Sequence, residues 1–210
     1  MARFLITQTL LSAWQYVQDC AEGYEEEAMQ SFLCTLRREQ EELSEEQRQN
    51  IQNGIDFEQA VYAEASGKMR PCYPKWEFGI MAVADYVRGA QFQVRVQREI
   101  EVSGMTFLVY GILDALRAGV IYDVKFKNKS FQSIDVYGSY LNSAQHPFYF
   151  YCVPEAHEFN YLVSDGSDLY LERYTPEESR TAAEVIEEFI SAMEILGLLD
   201  TYKQYWAAKS

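Results

Sequence analysis

Apolar residues recur along this chain with two different periods, and the change of period divides it. Up to about residue 90 the spacing is helical. Phe4, Leu5, Leu10, Leu11, Trp14 and Val17 predict a helix over residues 4–20. Met29, Phe32, Leu33 and Leu36 share one face of an acidic stretch, which predicts an exposed amphipathic helix over 24–42, with Glu25, Glu26 and Glu27 on its solvated side. Ser44, with Gln47 three residues on, forms a capping box that opens a helix over about 45–65, and this helix carries Glu58. Ile80, Met81, Val83, Ala84 and Val87 predict another over 77–88.

From residue 91 the period drops to two. Phe92, Val94 and Val96 alternate with polar partners. Residues 100–102 and 106–113 follow around a turn at Ser103-Gly104, and 120–126 come next, so 92–126 reads as an antiparallel meander. Residues 137–152 look helical again despite Pro147, and 158–174 hold two strands around Asp165-Gly166. A last helix is expected from Thr175 as cap, with Pro176 in first position and Glu178 completing the box. Its apolar face is Ala182, Val185, Ile186, Phe189, Ile190 and Met193. The order predicts an α/β (α+β) fold, a mixed sheet with helices before it and a crossover helix within it. The 210 residues suit one domain, with a core at about 45–175 and acidic helical flanks at 1–44 and 176–210.

Charge changes this picture in one respect. The net charge of −14 disfavours a polyanionic partner, but it is unevenly spread. Residues 22–46 carry nine acids and two bases, and 155–200 carry twelve acids and two bases, whereas 47–154 carry ten acids and eleven bases. A nucleic acid could therefore approach the middle of the chain. Cys20, Cys34, Cys72 and Cys152 are scattered, which suits reduced structural thiols better than a metal cluster. No run of about 18 apolar residues occurs and no export signal is read, so neither a membrane span nor a membrane partner is expected, and the cytoplasm is the expected location.

The candidate chemistry lies in VYGILDALRAGVIYDVKFKNK, residues 109–129. A hairpin turning at Ala118-Gly119 sets Asp114 opposite Asp123, with Cβ atoms about 5 Å apart, and strand alternation puts Lys125 on the same side. Two neighbouring carboxylates repel unless they share a cation, and hard oxygen ligands favour Mg²⁺ or Mn²⁺. Such an ion can activate water for attack on a phosphate. Lys125 could orient or help deprotonate that water, or stabilise charge developing on the phosphate.

With its surroundings, this pattern resembles the PD-(D/E)XK nuclease superfamily, in its RecB-like and lambda-exonuclease-like branches. The helix NGIDFEQAVYAEA supplies Gly54 and Glu58, the strands GILDAL and YDVKFK supply Gly111, Asp114, Asp123 and Lys125, and SAQHPFYFY supplies Ser143, Gln145 and Tyr149. The resemblance spans about residues 50–152 in the family's order, and Glu58 in place of histidine leans toward the lambda type. It implies a restriction-endonuclease-like core with extra terminal helices and metal-dependent hydrolysis of DNA. Asp114, Asp123 and Glu58 would bind metal, and Lys125 would be catalytic. Gln145 and Tyr149 would hold the site or the DNA strand, although Pro147 between them would kink or delimit their helix. Some members carry a four-cysteine iron–sulfur cluster with C-terminal cysteines. No cysteine follows Cys152, so none is expected here.

Lys127 and Lys129 continue the parity of Lys125 and are candidate phosphate contacts, with Arg95, Arg98, Arg70 and Lys68 as weaker ones. Of the seven tyrosines between residues 137 and 174, Tyr137 and Tyr140 are the best placed to stack a base, while His146 reads as a structural hydrogen-bonder. The leading reading is a DNA exonuclease of phage or mobile-element recombination or repair. One alternative is a weak or inactive nuclease-fold protein acting as an adaptor or inhibitor through its acidic flanks; another is an endonuclease or junction resolvase. A homo-oligomer or a protein partner docking on the acidic helices is a further expectation, by analogy.

Overall fold

The computed structural model describes residues 3–134 and 136–208. In chain order it runs β1 (Arg3–Thr7), α1 (Gln8–Asp19), α2 (Glu25–Leu36), α3 (Glu45–Ala65), α4 (Glu77–Val87), β2 (Gln91–Val102), β3 (Met105–Arg117), β4 (Val120–Phe126), α5 (Gln145–Cys152), β5 (Glu158–Ser164), β6 (Leu169–Tyr174), α6 (Ala182–Ile195) and α7 (Leu199–Tyr205). The six strands form one mixed sheet in the order β1-β3-β4-β5-β6, with β2 also paired to β3.

Several elements follow their local sequence. Ser44 and Gln47 exchange both bonds of the capping box, and α3 ends at Ala65 as expected. The two hairpin turns, Ser103-Gly104 and Ala118-Gly119, hold both residues at positive φ, the geometry a tight two-residue hairpin demands. Pro147 falls in the first turn of α5, where its missing N–H has no intrahelical role.

Other expectations are corrected. Residues 3–7 are not helix but a strand, parallel to β3, with Phe4 beside Phe107 and Ile6 beside Val109. Helical spacing concealed it because five residues are too few to separate the two periods. The helix expected over 137–152 is only α5; residues before Gln145 form turns that bring Tyr140 against β5 and β6. Thr175 and Glu178 do pair, but in a turn. The helix starts one Thr-x-x-Glu later, where Thr181 and Glu184 complete a second box. The terminal flanks are also tied to the sheet. Leu5 N–H donates to Trp206 O at 2.7 Å, and Tyr202 Oη donates to Leu5 O at 3.0 Å, so the C-terminal segment covers the outer edge of β1.

Two apolar layers sandwich the sheet. One face packs Phe57, Val61, Ile80 and Val83 of α3 and α4 against Ala115, Tyr122, Val124 and Leu162. The other packs α1, α2, α5, α6 and α7 against Phe107, Val109, Leu113, Ile121, Phe159 and Tyr161. Ala115 thus faces the α3–α4 side, while Leu113, two residues earlier, faces the other. Phe92 and Val94 on β2 divide in the same way. Regular strands keep residues i and i+2 on one face, so both strands reverse their faces at Asp114 and at Gln93 opposite it. Gln93 has φ +54 and drops out of the ladder between the Phe92–Ala115 and Val94–Leu113 pairs. A non-glycine residue held there is strained, a local cost that tends to sit at functional sites.

His146 lies beneath the sheet, stacked on Tyr174 at 4.2 Å, with Nδ1 3.0 Å from Tyr161 Oη. Burial pushes its imidazole down to about 4. The unfolded chain takes up a proton near pH 6.5 and the fold does not until about pH 4, so stability should fall across that window by about 3 kcal/mol. Chemical denaturation at a series of pH values checks this: His146→Gln should flatten the curve between those limits.

Candidate active site

One stretch of β3 lacks a backbone partner on one edge. β2 runs along one edge from Met105 to Leu116. The other edge is shared by β1, against Thr106–Tyr110, and by β4, against Ala115–Arg117. Between them, residues 111–114 face a gap. Buried backbone groups need partners, and side chains supply them: Tyr149 Oη donates to Ile112 O at 3.0 Å, and Val124 N–H donates to Asp114 Oδ2 at 2.8 Å. The expected register of β3 and β4 holds for three pairs, and the ladder then stops, so Asp114 and Asp123 meet across a splay instead of as an ordinary cross-strand pair.

Gly111 lets the gap be filled. A Cβ there would overlap Cε1 of Tyr149 and come within 3.0 Å of Cζ. Gly111→Ala should therefore displace the ring, cost about 1–3 kcal/mol and lower any activity of the site. Tyr149→Leu in the same chain should restore part of the lost melting temperature by making room. Gly54 has open space where its Cβ would stand, so packing does not require glycine there.

Asp123 is almost fully buried. Its Oδ1 accepts from Gln145 Nε2, and its Oδ2 lies 2.7 Å from Lys125 Nζ but accepts no well-formed hydrogen bond. Gln145 and Tyr149, one turn apart on α5, both reach the site as expected. Burial disfavours the Lys125 charge, but Asp123 and Asp114 together outweigh it and hold the ammonium protonated well above its ordinary range. In the cation-free protein Lys125 is therefore an ammonium paired with Asp123. The carboxyl of Asp114 is held well above its usual range, first by burial and then by the charge of Asp123, with Lys125 opposing.

Glu58 is less closely gathered. It comes from α3, on the sheet face opposite to α5, and Asp114 feels its charge across the gap. Its Oε1 accepts from Tyr62 Oη at 2.6 Å and from Gln93 Nε2 at 2.9 Å. Burial, then Asp114 and Glu58, keep the Tyr62 hydroxyl protonated. Sequence reading missed Tyr62 and Gln93. Tyr62 could have been found at i+4 from Glu58, whereas nothing local marks Gln93.

The phosphate candidates separate. β4 ends at Phe126, so Lys127 and Lys129 do not continue its alternation. Lys127 N–H donates to Ser164 O at 2.8 Å, and its Nζ stands 5.5 Å from the centroid of the Tyr140 ring. Lys129 is exposed in a bend. Arg70 is sequestered between Glu64 and Glu77, and Arg98 donates to Tyr151 O. Arg95 and Lys68 are exposed.

The donor set fits a hard divalent cation. Each aspartate commits one oxygen to the scaffold, to Val124 N–H or to Gln145, and the second oxygen of Asp123, buried, is ion-paired with Lys125 at 2.7 Å. Among the described residues no group of three His, Cys, Asp or Glu side chains closes on one point. The protein would thus supply two carboxylates, and water or phosphate the rest, as is common for Mg²⁺.

No family model matches the chain, and no curated protein matches it. Among solved structures it is similar to the crystal structure of SSO0001, with a TM-score of 0.51 and 14% identity over 91% of this chain and 75% of that one. The crystal structure of Scheffersomyces stipitis Rai1 aligns with 91% of this chain and 61% of its own, at 13% identity and a TM-score of 0.36. The likeness to SSO0001 is one of fold: a mixed sheet flanked by helices, spanning nearly all of this chain.

Proposed function

We propose that this protein is a Mg²⁺- or Mn²⁺-dependent deoxyribonuclease that hydrolyses phosphodiester bonds from the ends of linear DNA, in phage or mobile-element recombination or repair. The observation that carries this reading is the meeting of Asp114, Asp123, Lys125 and Gln145 at the gap in β3, with Asp123 Oδ2 paired to Lys125 at 2.7 Å. The chemistry a divalent cation supplies there, when bound, is polarisation of the phosphoryl group and acidification of water. Asp114 and Asp123 hold it, and Gln145 fixes the rotation of the Asp123 carboxylate. Lys125, 2.7 Å from Asp123 Oδ2, would place its ammonium where negative charge builds on the phosphate. Tyr149 closes the gap and keeps β3 in place beneath the scissile bond. The preference for ends follows the lambda-type resemblance carried by Glu58.

End-labelled linear DNA should be digested only when Mn²⁺ or Mg²⁺ is added, and covalently closed circles should survive. Cutting of circles at the same rate would replace the exonuclease with an endonuclease. Binding without cutting is the second reading, favoured by the engagement of Glu58 with Tyr62 and Gln93 on the far face of the sheet. A calorimetric Mn²⁺ titration separates the two, because no binding leaves only the adaptor.

A further inference from the structure

Strand β2 lies at an edge of the sheet. Residues 105–116 of β3 pair with one side of it, and among the described residues no strand pairs with the other. Such an edge offers a row of unpaired N–H and C=O groups to any strand that matches it. The side chains of β2 alternate beyond Gln93. Val94, Val96 and Ile100 pack toward the layer of α5 and α6, and Arg95, Gln97 and Glu99 stand exposed on the opposite face. Glu99 pairs with Arg3 of β1 at 2.5 Å, whereas Arg95 has no ion-pair partner among the described residues. Arg98, on the α5 side, donates to Tyr151 O and lies 4.7 Å from the centroid of that ring.

We propose that β2 pairs edge to edge with β2 of a second copy of this chain, antiparallel about a twofold axis at Gln97, so that the two sheets join into one. A twofold axis normal to the sheet keeps each face on its own side. Opposed residues must then share parity, and the axis must pass through a residue. Charge selects which one. An axis at Arg95, Arg98 or Glu99 sets that charge against its own copy, and an axis at Val96 leaves Arg95 facing a glutamine. With the axis at Gln97, Arg95 faces Glu99 of the second copy at both ends of the joint, and Val94 faces Ile100 of the second copy. Val96 meets Arg98 of the second copy, whose guanidinium is drawn onto Tyr151 and leaves its aliphatic stem for the contact. The backbone agrees with this register. Gln93, at φ +54, drops out of the ladder, so regular strand begins at Val94, and residues 94–100 are centred on Gln97. Tyr151 Oη already donates to Glu99 O, but a carbonyl accepts two hydrogen bonds and has room for a ladder bond. β1 and β4 share the opposite edge of β3, so the joint leaves the gap open, and association needs neither cation nor DNA.

The test is sedimentation velocity of the full chain in EDTA over a range of concentrations. The parent should sediment as a dimer. Arg95→Glu and Glu99→Arg should each associate at least about tenfold more weakly, because each sets like charges opposite each other at both ends of the joint. Mixed in equal amounts, the two variants should recover parent-like association, since every contact between positions 95 and 99 then joins opposite signs. Arg48→Glu on α3 should associate like the parent. A second measurement reads the register. Opposed residues have Cβ atoms about 5 Å apart. Gln97→Cys, in a Cys72→Ser background, should therefore form an intermolecular disulfide under mild oxidation, whereas Gln91→Cys should not. A monomer at every concentration, a dimer indifferent to both charge reversals, or variants that stay apart when mixed would overturn the proposal. No cation or DNA enters these measurements, so the nuclease reading stands or falls separately.

Discussion

Asp123→Ala is expected to lower Mn²⁺-dependent digestion of linear DNA on the order of 10³-fold or more while the chain stays folded. On the proposed reading the loss is large because Asp123 would hold the cation, and it faces the Lys125 ammonium at 2.7 Å. The structural cost is limited by two opposing effects. Removing the carboxylate strands the Gln145 amide, a buried donor, which costs about 1–3 kcal/mol. It also removes the Asp123 charge, which after burial is the second cause that raises the Asp114 carboxyl. Asp123→Asn keeps an acceptor for Gln145 and should melt closer to the parent, with the same loss of activity. Thermal melts and a timed digestion of end-labelled DNA check both variants. Parent-like digestion by Asp123→Ala would place the chemistry elsewhere.

Asp114→Asn is expected to separate stability from metal binding. In the cation-free protein, burial and then Asp123 raise the pKa of Asp114 above its unfolded value. The sign follows from linkage. Below the unfolded pKa of about 3.9 both states hold the proton, and stability is complete. As pH rises toward the folded pKa, the unfolded chain binds fewer protons than the folded one, and stability is lost. Asparagine has no proton to lose and can still accept from Val124 N–H. At neutral pH it should therefore stabilise the protein by about 0.5–2 kcal/mol, the usual range for relieving strain at a working site. The same change should abolish Mn²⁺ binding. Because the Asp114 carboxyl is raised above its usual range, Mn²⁺ held by it should bind more tightly as pH rises, with release of protons. Calorimetry in buffers of different ionisation enthalpy reads both, and an Asp114→Asn protein that binds Mn²⁺ like the parent defeats the assignment.

Much of the scaffold is legible in the chain because the responsible interactions are local. Ser44 and Gln47 make α3 start where it does, and its length puts Glu58 beside the sheet. Ala118-Gly119 forces a two-residue turn, and that turn alone sets the register of β3 with β4. Gln145 and Tyr149 converge because residues four apart share a helical face. Where local preferences compete, they mislead. Thr-x-x-Glu occurs twice within ten residues, and packing of Ala182, Ile186 and Phe189 under the sheet selects the second. Residues 3–7 pair with a strand a hundred positions away, and no short window contains that partner.

The sequence by itself determined the identities and order of Glu58, Asp114, Asp123, Lys125, Gln145 and Tyr149, and the hairpin that brings the two aspartates opposite each other. Only the tertiary structure decided what they face. β1 and β4 divide one edge of β3, and the gap between them turns a regular cross-strand pair into a splayed site closed by Tyr149. The reversal of faces at Gln93 and Asp114 leaves Glu58 across the sheet from Asp123, held by Tyr62 and Gln93. The physical reason is that a strand's neighbours, and which of its faces is buried, depend on hydrogen bonds and apolar contacts between segments far apart in the chain, and residue spacing carries no record of those.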